Sequence, residues 1–343
     1  MIKVLVIDDS AVMRVFLSRV VESQADMELV GTASDPVLAT DRIRRGTPDV
    51  VTLDVEMPRM NGLDFLRQLM AVRPLPVVMI SSLTREGADT TIRALELGAV
   101  DFFPKPASYD DLDAAAQEIA AKIRAAASAR VVRHSPGPAL PSASKILQTC
   151  SPAATGRIIG IGASTGGVEA LRDILTSLPP EMPPILIAQH MPPGFTETLA
   201  RRLNSICRIA VKQAEDGEAA CSGVAYVAPG GRHLSLNRRL SGYIMHVTDE
   251  APVNHHRPSV DTLFRSMAKV AGDLSIGVLL TGMGADGAQG MLELSRQGGF
   301  TIAQDESSCV VFGMPRQAIA LGAVREVLAL NDVAQRLAML SRA

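Results

Sequence analysis

The sequence predicts an α/β protein of two domains, each built on a parallel sheet with helices on both faces. Three observations lead to this fold class. The 343 residues are enough for two domains of ordinary size. Short β-branched runs alternate with amphipathic segments along most of the chain, as expected for a covered parallel sheet. A stretch of different composition, residues 125–153, interrupts this alternation and separates the two halves.

The first half, residues 1–124, contains five candidate strands, and each adjoins a segment with helical periodicity. In chain order they are KVLVI, ELVGTA, DVVTLD, PVVMIS and AVDFF. Ser10 follows the first strand and is well placed to cap the first helix, since serine is favoured at the N-cap. Five such units predict a five-stranded parallel sheet.

Residues 125–153 are expected to form a flexible linker. The stretch from Arg124 to Gly156 is rich in Pro, Ser and Ala and contains no Asp or Glu. Because it lacks the apolar content to bury itself, a connector is favoured over a third domain.

The second half, residues 154–343, repeats the α/β pattern and is expected to be a doubly wound domain. Its candidate strands are RIIGIG, ILIAQ, RIAVKQA, GVAYVAP, SIGVLLTG and FTIAQ. Between the fourth and fifth of these, HLSLNR and GYIMHVT form a close pair of short polar and apolar runs. This pair predicts a short antiparallel hairpin inserted into the domain.

The composition limits the partners and the location that can be expected. The formal net charge is -2, which gives no bulk attraction to nucleic acid or to an anionic membrane. The first apolar run is too short for a signal peptide, and no segment has the apolar length of a membrane span. The four cysteines form no C-x-x-C pair and are expected to be reduced thiols. A cytoplasmic protein that does not bind nucleic acid is therefore expected.

Five polar residues of the first half follow the ends of predicted strands. They are Asp8, Asp9, Asp54, Ser81 and Lys105. The carboxyl ends of parallel strands line one edge of the sheet, so these side chains are expected to converge there. Three carboxylates suit Mg²⁺, which together with the Lys105 ammonium could neutralise a phosphoryl group while the Asp54 carboxylate attacks it. Taken singly, each residue also has a simpler interpretation as a cap, a turn residue or a solvated side chain.

The motifs VLVIDDS, LDVEMPRMNG, VMISS and DFFPKP together resemble the receiver domain of two-component response regulators. The resemblance implies a flavodoxin-like fold with Asp54 as the phosphorylated residue. It implies that the metal ligands are Asp8, Asp9, Asp54 and the backbone of Glu56. It also implies that Ser81 is the switch hydroxyl, that Lys105 contacts the phosphate and that Phe102 occupies the position of the mobile aromatic residue.

The stretch GIGASTGG, from Gly160 to Gly167, lies between an apolar run and a helical pattern. The dinucleotide-binding pattern G-x-G-x-x-G fails, because Thr165 stands where the third glycine is required. Gly162 to Gly166 instead fits G-x-S-x-G, in which small residues allow a sharp turn that exposes the serine hydroxyl. By itself this short pattern is weak evidence that Ser164 is a nucleophile.

A base and an acid for Ser164 are available at two other strand ends. His190 follows ILIAQ, and Asp286 lies in LLTGMGADG after another strand. His190 could accept the proton of Ser164 and later protonate the leaving group, while Asp286 orients the imidazole and stabilises its charged form. This interpretation predicts a hydrolase with a serine, histidine and aspartate triad.

Several alternatives stay open at this point. Ser164 and Asp286 could be helix N-caps, and His190 could be a hydrogen-bonded core residue. Other candidate bases and acids are His233, His246, His255, His256, Asp261 and Asp305. A DNA-binding output domain is not favoured, because no basic helix-turn-helix is found. A nucleotide-binding output lacks the third glycine, and the triad alone does not separate an esterase from a peptidase.

Long motifs of the second half narrow these alternatives. They are IGIGASTGGVEAL, QHMPPGFTETLARRL, VAPGGRHL, HHRPSVDTLFRS, LLTGMGADGAQGM and AQDESSCVVFGMPRQAI. They resemble the output domain of the bacterial chemotaxis receptor methylesterase family, CheB, and with the receiver the likeness covers nearly all of the chain except the linker.

The resemblance implies hydrolysis of glutamate methyl esters, and deamidation of glutamines, on methyl-accepting chemotaxis receptors. It implies Ser164, His190 and Asp286 as the triad, with Thr165 and Met283 near the active site, and no cofactor for the esterase reaction. A chemotaxis histidine kinase would donate the phosphoryl group, and Mg²⁺ would be needed at the receiver. The unphosphorylated receiver would cover the catalytic cleft, and the protein would meet the membrane only through its receptors.

Overall fold

The computed structural model describes residues 1–57, 60–82, 84–106, 112–129, 156–240 and 242–342. The chain divides into two compact units, Met1–Pro136 and Gly137–Ala343. Each unit has its own parallel sheet, as the sequence predicts.

The N-terminal unit is a five-stranded parallel sheet with the order β2-β1-β3-β4-β5. Its strands are β1 (Ile2–Ile7), β2 (Met27–Ala33), β3 (Val50–Asp54), β4 (Val77–Ser81) and β5 (Asp101–Pro104). Its helices are α1 (Ala11–Glu22), α2 (Pro36–Gly46), α3 (Gly62–Val72), α4 (Arg85–Glu96) and α5 (Leu112–Ser128). Every residue of β3 and β4 is buried, because helices cover both faces of the sheet. The predicted fold of this unit is confirmed.

Local capping fixes where the first helices begin. The Ser10 hydroxyl accepts a hydrogen bond from the main-chain N–H of Met13, as expected for the N-cap of α1. Gly62 opens α3, and a Cβ there would overlap the main-chain oxygen of Asp54. Only glycine therefore lets α3 begin so close to the end of β3.

The end of α5 lies beyond the expected domain boundary at residue 124. The helix continues to Ser128, so its last turn falls within the segment expected to be a linker. The remainder of that segment, residues 130–153, lies outside the described residues. The flexible linker stays a prediction.

The C-terminal unit is a seven-stranded parallel sheet with the order β14-β13-β12-β6-β7-β9-β8. Its strands are β6 (Ile158–Ala163), β7 (Ile185–Gln189), β8 (Ala210–Gln213), β9 (Val224–Val227), β12 (Ser275–Leu279), β13 (Phe300–Gln304) and β14 (Glu326–Leu328). Its helices are α6 (Gly167–Ser177), α7 (Phe195–Ile206), α8 (Val260–Ala271), α9 (Ala288–Arg296), α10 (Met314–Ala320) and α11 (Leu330–Leu340). The six predicted strands are confirmed, and β14 is an additional one.

The predicted antiparallel hairpin is also confirmed. It consists of β10 (His233–Arg239) and β11 (Gly242–Thr248), and it packs its apolar face against α8. The main-chain N–H of Leu236 donates to the Ser266 hydroxyl of α8 at 2.9 Å, which fixes the hairpin on that helix.

The order of strands in the second sheet reverses between β6 and β12. The chain moves from β6 to β7, β8 and β9 on one side and returns to β12, β13 and β14 on the other. In open α/β sheets the crevice at such a reversal is the usual ligand site. Among the described residues, no helix has the length and apolar character needed to cross a membrane.

Candidate functional site

Three carboxylates of the N-terminal unit meet at the carboxyl edge of its sheet. Asp8, Asp9 and Asp54 each offer an oxygen within 4.8 Å of the others. Asp8 and Asp54 are buried, while Asp9 is exposed. Lys105, after β5, places its Nζ 2.7 Å from Asp54 Oδ2 and 3.4 Å from Asp8 Oδ2. The structure therefore brings these four residues together.

One lysine does not neutralise this cluster. Burial raises the pKa of Asp54 to about 6, and the charge of Asp8 adds to that rise although Lys105 opposes it. Burial also raises the pKa of Asp8. Asp8 Oδ2 is buried and has no hydrogen-bond partner among the described residues. An unsatisfied oxygen in a cluster short of positive charge fits a Mg²⁺ ligand.

The other residues expected in the receiver site surround Asp54. The main-chain N–H of Glu56 donates to Asp54 Oδ1 at 3.2 Å, and the Glu56 carboxylate accepts from Ser82. The Ser81 hydroxyl points to α4, where it donates to the Gly87 carbonyl at 3.2 Å. It accepts from the Thr91 hydroxyl at 2.7 Å. Ser81 is therefore engaged with a helix and not with Asp54.

Phe102 is buried at the β5 position next to Met79 of β4. The Lys122 Nζ lies 5.8 Å from the centre of its ring. In this structure the aromatic side chain points into the domain.

Ser164 lies on a sharp turn from β6 into α6. Its N–H donates to the Thr281 carbonyl at 3.0 Å, and its carbonyl accepts from Gly167 N at 2.8 Å. Gly166 has a φ of 77°, a left-handed conformation that favours glycine, and it is the N-cap of α6. Ser164 is half-buried and is not the N-cap, so the capping alternative does not apply to it.

His190 is placed beside Ser164 by the register of two neighbouring strands. Ala163 of β6 pairs with Gln189 of β7, and the next residues along these strands are Ser164 and His190. The Gln189 side-chain amide donates to the carbonyls of Ser164 at 2.9 Å and of His190 at 3.3 Å. Gln189 was not predicted to belong to the site. A polar residue at the end of the apolar run ILIAQ is a signal in the sequence that could have indicated it.

Asp286 completes a hydrogen-bonded pair with His190. Its Oδ2 lies 2.8 Å from His190 Nε2, and the carboxylate is 1% exposed. The carboxylate also accepts from the Ser259 hydroxyl and the Val260 N–H at the beginning of α8. It accepts a further bond from Asn254 Nδ2. Asp286 thus caps α8, which precedes it, and not the helix that follows it.

These donors determine the charge of Asp286. Burial alone would raise its pKa, but the hydrogen bond and charge of His190, with Asn254 and Val260, hold the pKa below the ordinary value. The positive end of α8 also favours an anion at this place. Asp286 is therefore ionised across the working pH range.

Because Asp286 is ionised, its carboxylate can only accept a hydrogen bond, so the ring nitrogen of His190 that faces it must carry a proton. Nε2–H donates to the carboxylate, so in the neutral ring Nδ1 carries the lone pair. Nδ1 is buried and has no partner among the described residues. The Ser164 hydroxyl makes no hydrogen bond to it in this structure. Such contacts are often open in free enzymes and close when substrate binds.

The competing histidines have other roles in this structure. His233 is buried, donates from Nε2 to the Ala251 carbonyl and accepts from Ser259 N–H at Nδ1. His246 is paired with Asp216 on the exposed face of the hairpin. His255 is exposed. His256 stacks on the ring of His190, with ring centres 3.7 Å apart and planes 9° apart.

The competing acids are also engaged elsewhere. Asp261 is buried in the first turn of α8 and accepts from Gly290 N–H at 2.7 Å. Asp305 accepts from Ser307 and Ser308 in the loop after β13. Asp286 alone of the three hydrogen bonds with His190 among the described residues.

The two residues expected near the active site lie on the segments that flank Ser164. Thr165 is buried, and its carbonyl accepts from the Thr281 hydroxyl at 3.0 Å. Met283 is half-buried in the loop after β12. A Cβ on the preceding Gly282 would lie 2.7 Å from Ser164 Cβ, so this loop contacts the serine directly.

Two cysteines of the described residues agree with the expectation of reduced, buried thiols. Cys207 and Cys309 are buried free thiols, and burial raises the pKa of Cys309 to about 12, so this thiol is unreactive. Cys221 is also buried. Cys150 lies outside the described residues.

The fold and the two sites define a receiver domain followed by an α/β hydrolase-type domain. The family model for the response regulator receiver domain matches residues 4–117, and that for CheB methylesterase matches residues 159–337. The chain belongs to the CheB methylesterase family.

Full-length relatives and a solved structure agree with this assignment. The chain is 54% identical to the protein-glutamate methylesterase/protein-glutamine glutaminase of Pectobacterium atrosepticum, covering 98% of this chain and 96% of that one. It is 53% identical to the protein of the same name from Salmonella choleraesuis, with the same coverage. The crystal structure of the Thermotoga maritima CheB methylesterase catalytic domain is 41% identical, with a TM-score of 0.53, covering 54% of this chain and 98% of that one. The relatives so named are hydrolases.

Proposed function

We propose that this protein hydrolyses glutamate methyl esters on methyl-accepting chemotaxis receptors, giving glutamate and methanol, and deamidates glutamine side chains, giving ammonia. The observation that carries the proposal is the hydrogen-bonded pair of Asp286 and His190 beside Ser164 at the reversal point of the sheet. The names of its relatives supply the substrate class. The overall process would be adaptation in chemotaxis.

The reaction begins with proton transfer from the Ser164 hydroxyl to His190 Nδ1. The serine oxygen attacks the ester carbonyl carbon, and the C–O bond to methanol breaks as His190 returns the proton to the leaving oxygen. Water then attacks the acyl-enzyme by the same route, which releases the glutamate carboxylate and restores Ser164. Asp286 stays ionised throughout and stabilises the imidazolium.

The negative oxygen of the tetrahedral intermediate needs hydrogen-bond donors. The loop that contains Met283 lies against Ser164, and its main-chain N–H groups are our candidates for this role. One well-placed donor of this kind contributes about 3 to 4 kcal/mol to lowering the barrier.

The receiver domain would make this activity depend on phosphorylation of Asp54 by a chemotaxis histidine kinase. Asp8, Asp9, Asp54 and the Glu56 backbone would hold Mg²⁺, which neutralises charge on the transferring phosphoryl group. The Asp54 carboxylate would attack the phosphorus as the bond from phosphorus to the kinase phosphodonor breaks and the donor leaves, and Lys105 would contact the phosphoryl oxygens. Ser81 would leave its bonds with α4 to reach the new anion, and Phe102 would move with it.

The proposal also includes the boundaries of the domains and the cellular location of the protein. We assign residues 1–124 to the receiver, 125–153 to a linker and 154–343 to the catalytic domain, with α5 extending four residues into the linker. Because receptor glutamates lie on cytoplasmic helices, we propose a cytoplasmic protein that meets the membrane only through its receptors.

Methanol release from methylated receptor membranes tests the proposal. The wild-type protein is expected to release methanol, and Ser164→Ala is expected to reduce the rate to that of membranes alone. Ammonia release from receptors with glutamine at the same sites should be lost in parallel. An unchanged rate in the variant would refute the assignment of Ser164 as nucleophile.

A further inference from the structure

One four-residue turn, Val253 to His256, contacts both His190 and Asp286. Val253 and His256 pair through two main-chain hydrogen bonds, with N–O distances of 3.1 and 2.9 Å. Between them, Asn254 and His255 have φ values of 52° and 66°. Left-handed conformations are uncommon for residues other than glycine, and asparagine and histidine are among those that adopt them most readily.

Asn254 connects two buried carboxylates. Its Nδ2 donates to Asp286 Oδ1 and to Asp261 Oδ2, both at 2.8 Å. Asp261 is 2% exposed and Asp286 is 1% exposed, so their negative charges repel one another more strongly than they would in water, and the exposed Asn254 lies between them. The amide uses both of its hydrogens to hold the two groups apart. Asp286 Oδ2 is thereby left to face His190 Nε2.

His256 packs against one face of the His190 ring. Its ring lies parallel to that of His190 at a centre-to-centre distance of 3.7 Å. His190 is therefore held at one edge by Asp286 and on one face by His256. A flat neighbour at this distance opposes rotation of the imidazole out of the plane that contains Asp286.

We infer that Asn254 and His256 are positioning residues that keep the His190 ring and the Asp286 carboxylate aligned for proton transfer with Ser164. The inference rests on the proposed function, in which this pair acts as the base. His256 was one of the alternative candidate bases, and its ring contacts His190 itself. Neither side chain needs to touch the reacting atoms.

Four variants of the full-length protein distinguish a positioning role for Asn254 and His256 from a role in substrate binding. Asn254→Gly removes the amide and keeps a residue that accepts the left-handed backbone. His256→Ala removes the ring, and His256→Phe keeps a flat ring. His255→Asn is the matched control, because His255 lies in the same turn, is exposed and has a left-handed φ that asparagine tolerates.

Two measurements are made on each variant, with thermal unfolding to confirm the fold. The first is kcat and KM for methanol release from methylated receptor membranes. The second is the low-field proton resonance of the His190 Nε2–H, which reports the hydrogen bond to Asp286 directly. Ser164→Ala should retain this resonance while it loses activity.

Asn254→Gly and His256→Ala are expected to lower kcat by about 10- to 100-fold, since small misplacements of a reacting group cost that much. KM should change little. His256→Phe should retain most of the activity, and His255→Asn should match the wild type. The low-field resonance should be lost or shifted in Asn254→Gly and unchanged in the control.

A raised KM at unchanged kcat would make these residues substrate contacts and overturn the inference. Wild-type kcat with an unchanged resonance in Asn254→Gly and His256→Ala would also overturn it, while the proposed function stood. If the wild-type protein released no methanol, the proposed function would fail. The resonance would then still decide whether Asn254 aligns the pair.

Discussion

Two buried aspartates of this protein have opposite pKa shifts, and the cause is the number of donors around each. Burial raises the pKa of Asp54 to about 6, and the charge of Asp8 adds to that rise, although the hydrogen bonds from Lys105 and the Glu56 N–H oppose it. Asp286 receives bonds from several donors, led by His190, and its pKa falls. In the proposed function the first site receives a cation and a phosphoryl group, whereas Asp286 in the second site remains an anion.

Asp54→Asn is expected to stabilise the metal-free receiver domain at pH 8. Because the pKa of Asp54 rises from 3.8 to about 6 on folding, its ionisation destabilises the folded state as pH increases through that window. The gain should reach at most about 3 kcal/mol above pH 6 and vanish below pH 4. Thermal unfolding in chelator across this range measures it. A variant less stable than the wild type at pH 8, or a difference independent of pH, would contradict this account.

At the scale of elements, the loop after β12 packs directly against Ser164. A Cβ on Gly282 would overlap Met314 Sδ and approach Ser164 Cβ to 2.7 Å. The sharp turn after β6 and the loop after β12 therefore fit together only if this position is glycine.

Gly282→Ala is expected to lower kcat by roughly 10- to 100-fold, because it displaces the serine. Gly277→Ala, in β12 itself, is the control, since its Cβ would make an ordinary contact with Leu294 at 3.4 Å. Esterase activity and thermal unfolding of both variants measure the effect. Equal activities for the two would show that the loop does not position Ser164.

The elements of this fold are largely predictable because hydrophobic alternation is a local signal. Both sheets and the hairpin follow from it. The strand β14 was missed, since its three residues, EVL, form too short a run to stand out. Asp286 was expected at a helix start, but α9 begins at Ala288 and the carboxylate caps α8 instead. That contact depends on tertiary packing, which local pattern does not reveal.

At the scale of the whole molecule, the site residues that can be predicted from the sequence are those that follow the ends of strands, because the ends of parallel strands meet at one edge of a sheet. Ser164, His190 and Asp286 could be predicted as a group because each follows a strand of one parallel sheet. Gln189 and Asn254 could not, because they act on main-chain atoms or on carboxylates supplied by other elements. The five-stranded parallel sheet of the receiver could be predicted from periodicity and motifs.

Joining a receiver to a hydrolase predicts that hydrolysis responds to phosphorylation. The wild-type protein should release methanol faster when a small phosphodonor and Mg²⁺ are added. Asp54→Ala should keep only the basal rate, because the substitution removes the carboxylate that we propose as the phosphoryl acceptor. Asp41→Ala, an exposed aspartate of the same domain, should respond like the wild type. Stimulation that survives in Asp54→Ala would rule out this regulation.

The central claim is that His190, oriented by Asp286, activates Ser164. A serine-directed fluorophosphonate tests it without any receptor, since the reagent needs only an activated hydroxyl. One equivalent should bind to Ser164, as located by mass spectrometry, and His190→Ala should slow labelling by on the order of 100-fold or more. Labelling of another residue, or an unchanged rate in His190→Ala, would contradict the claim.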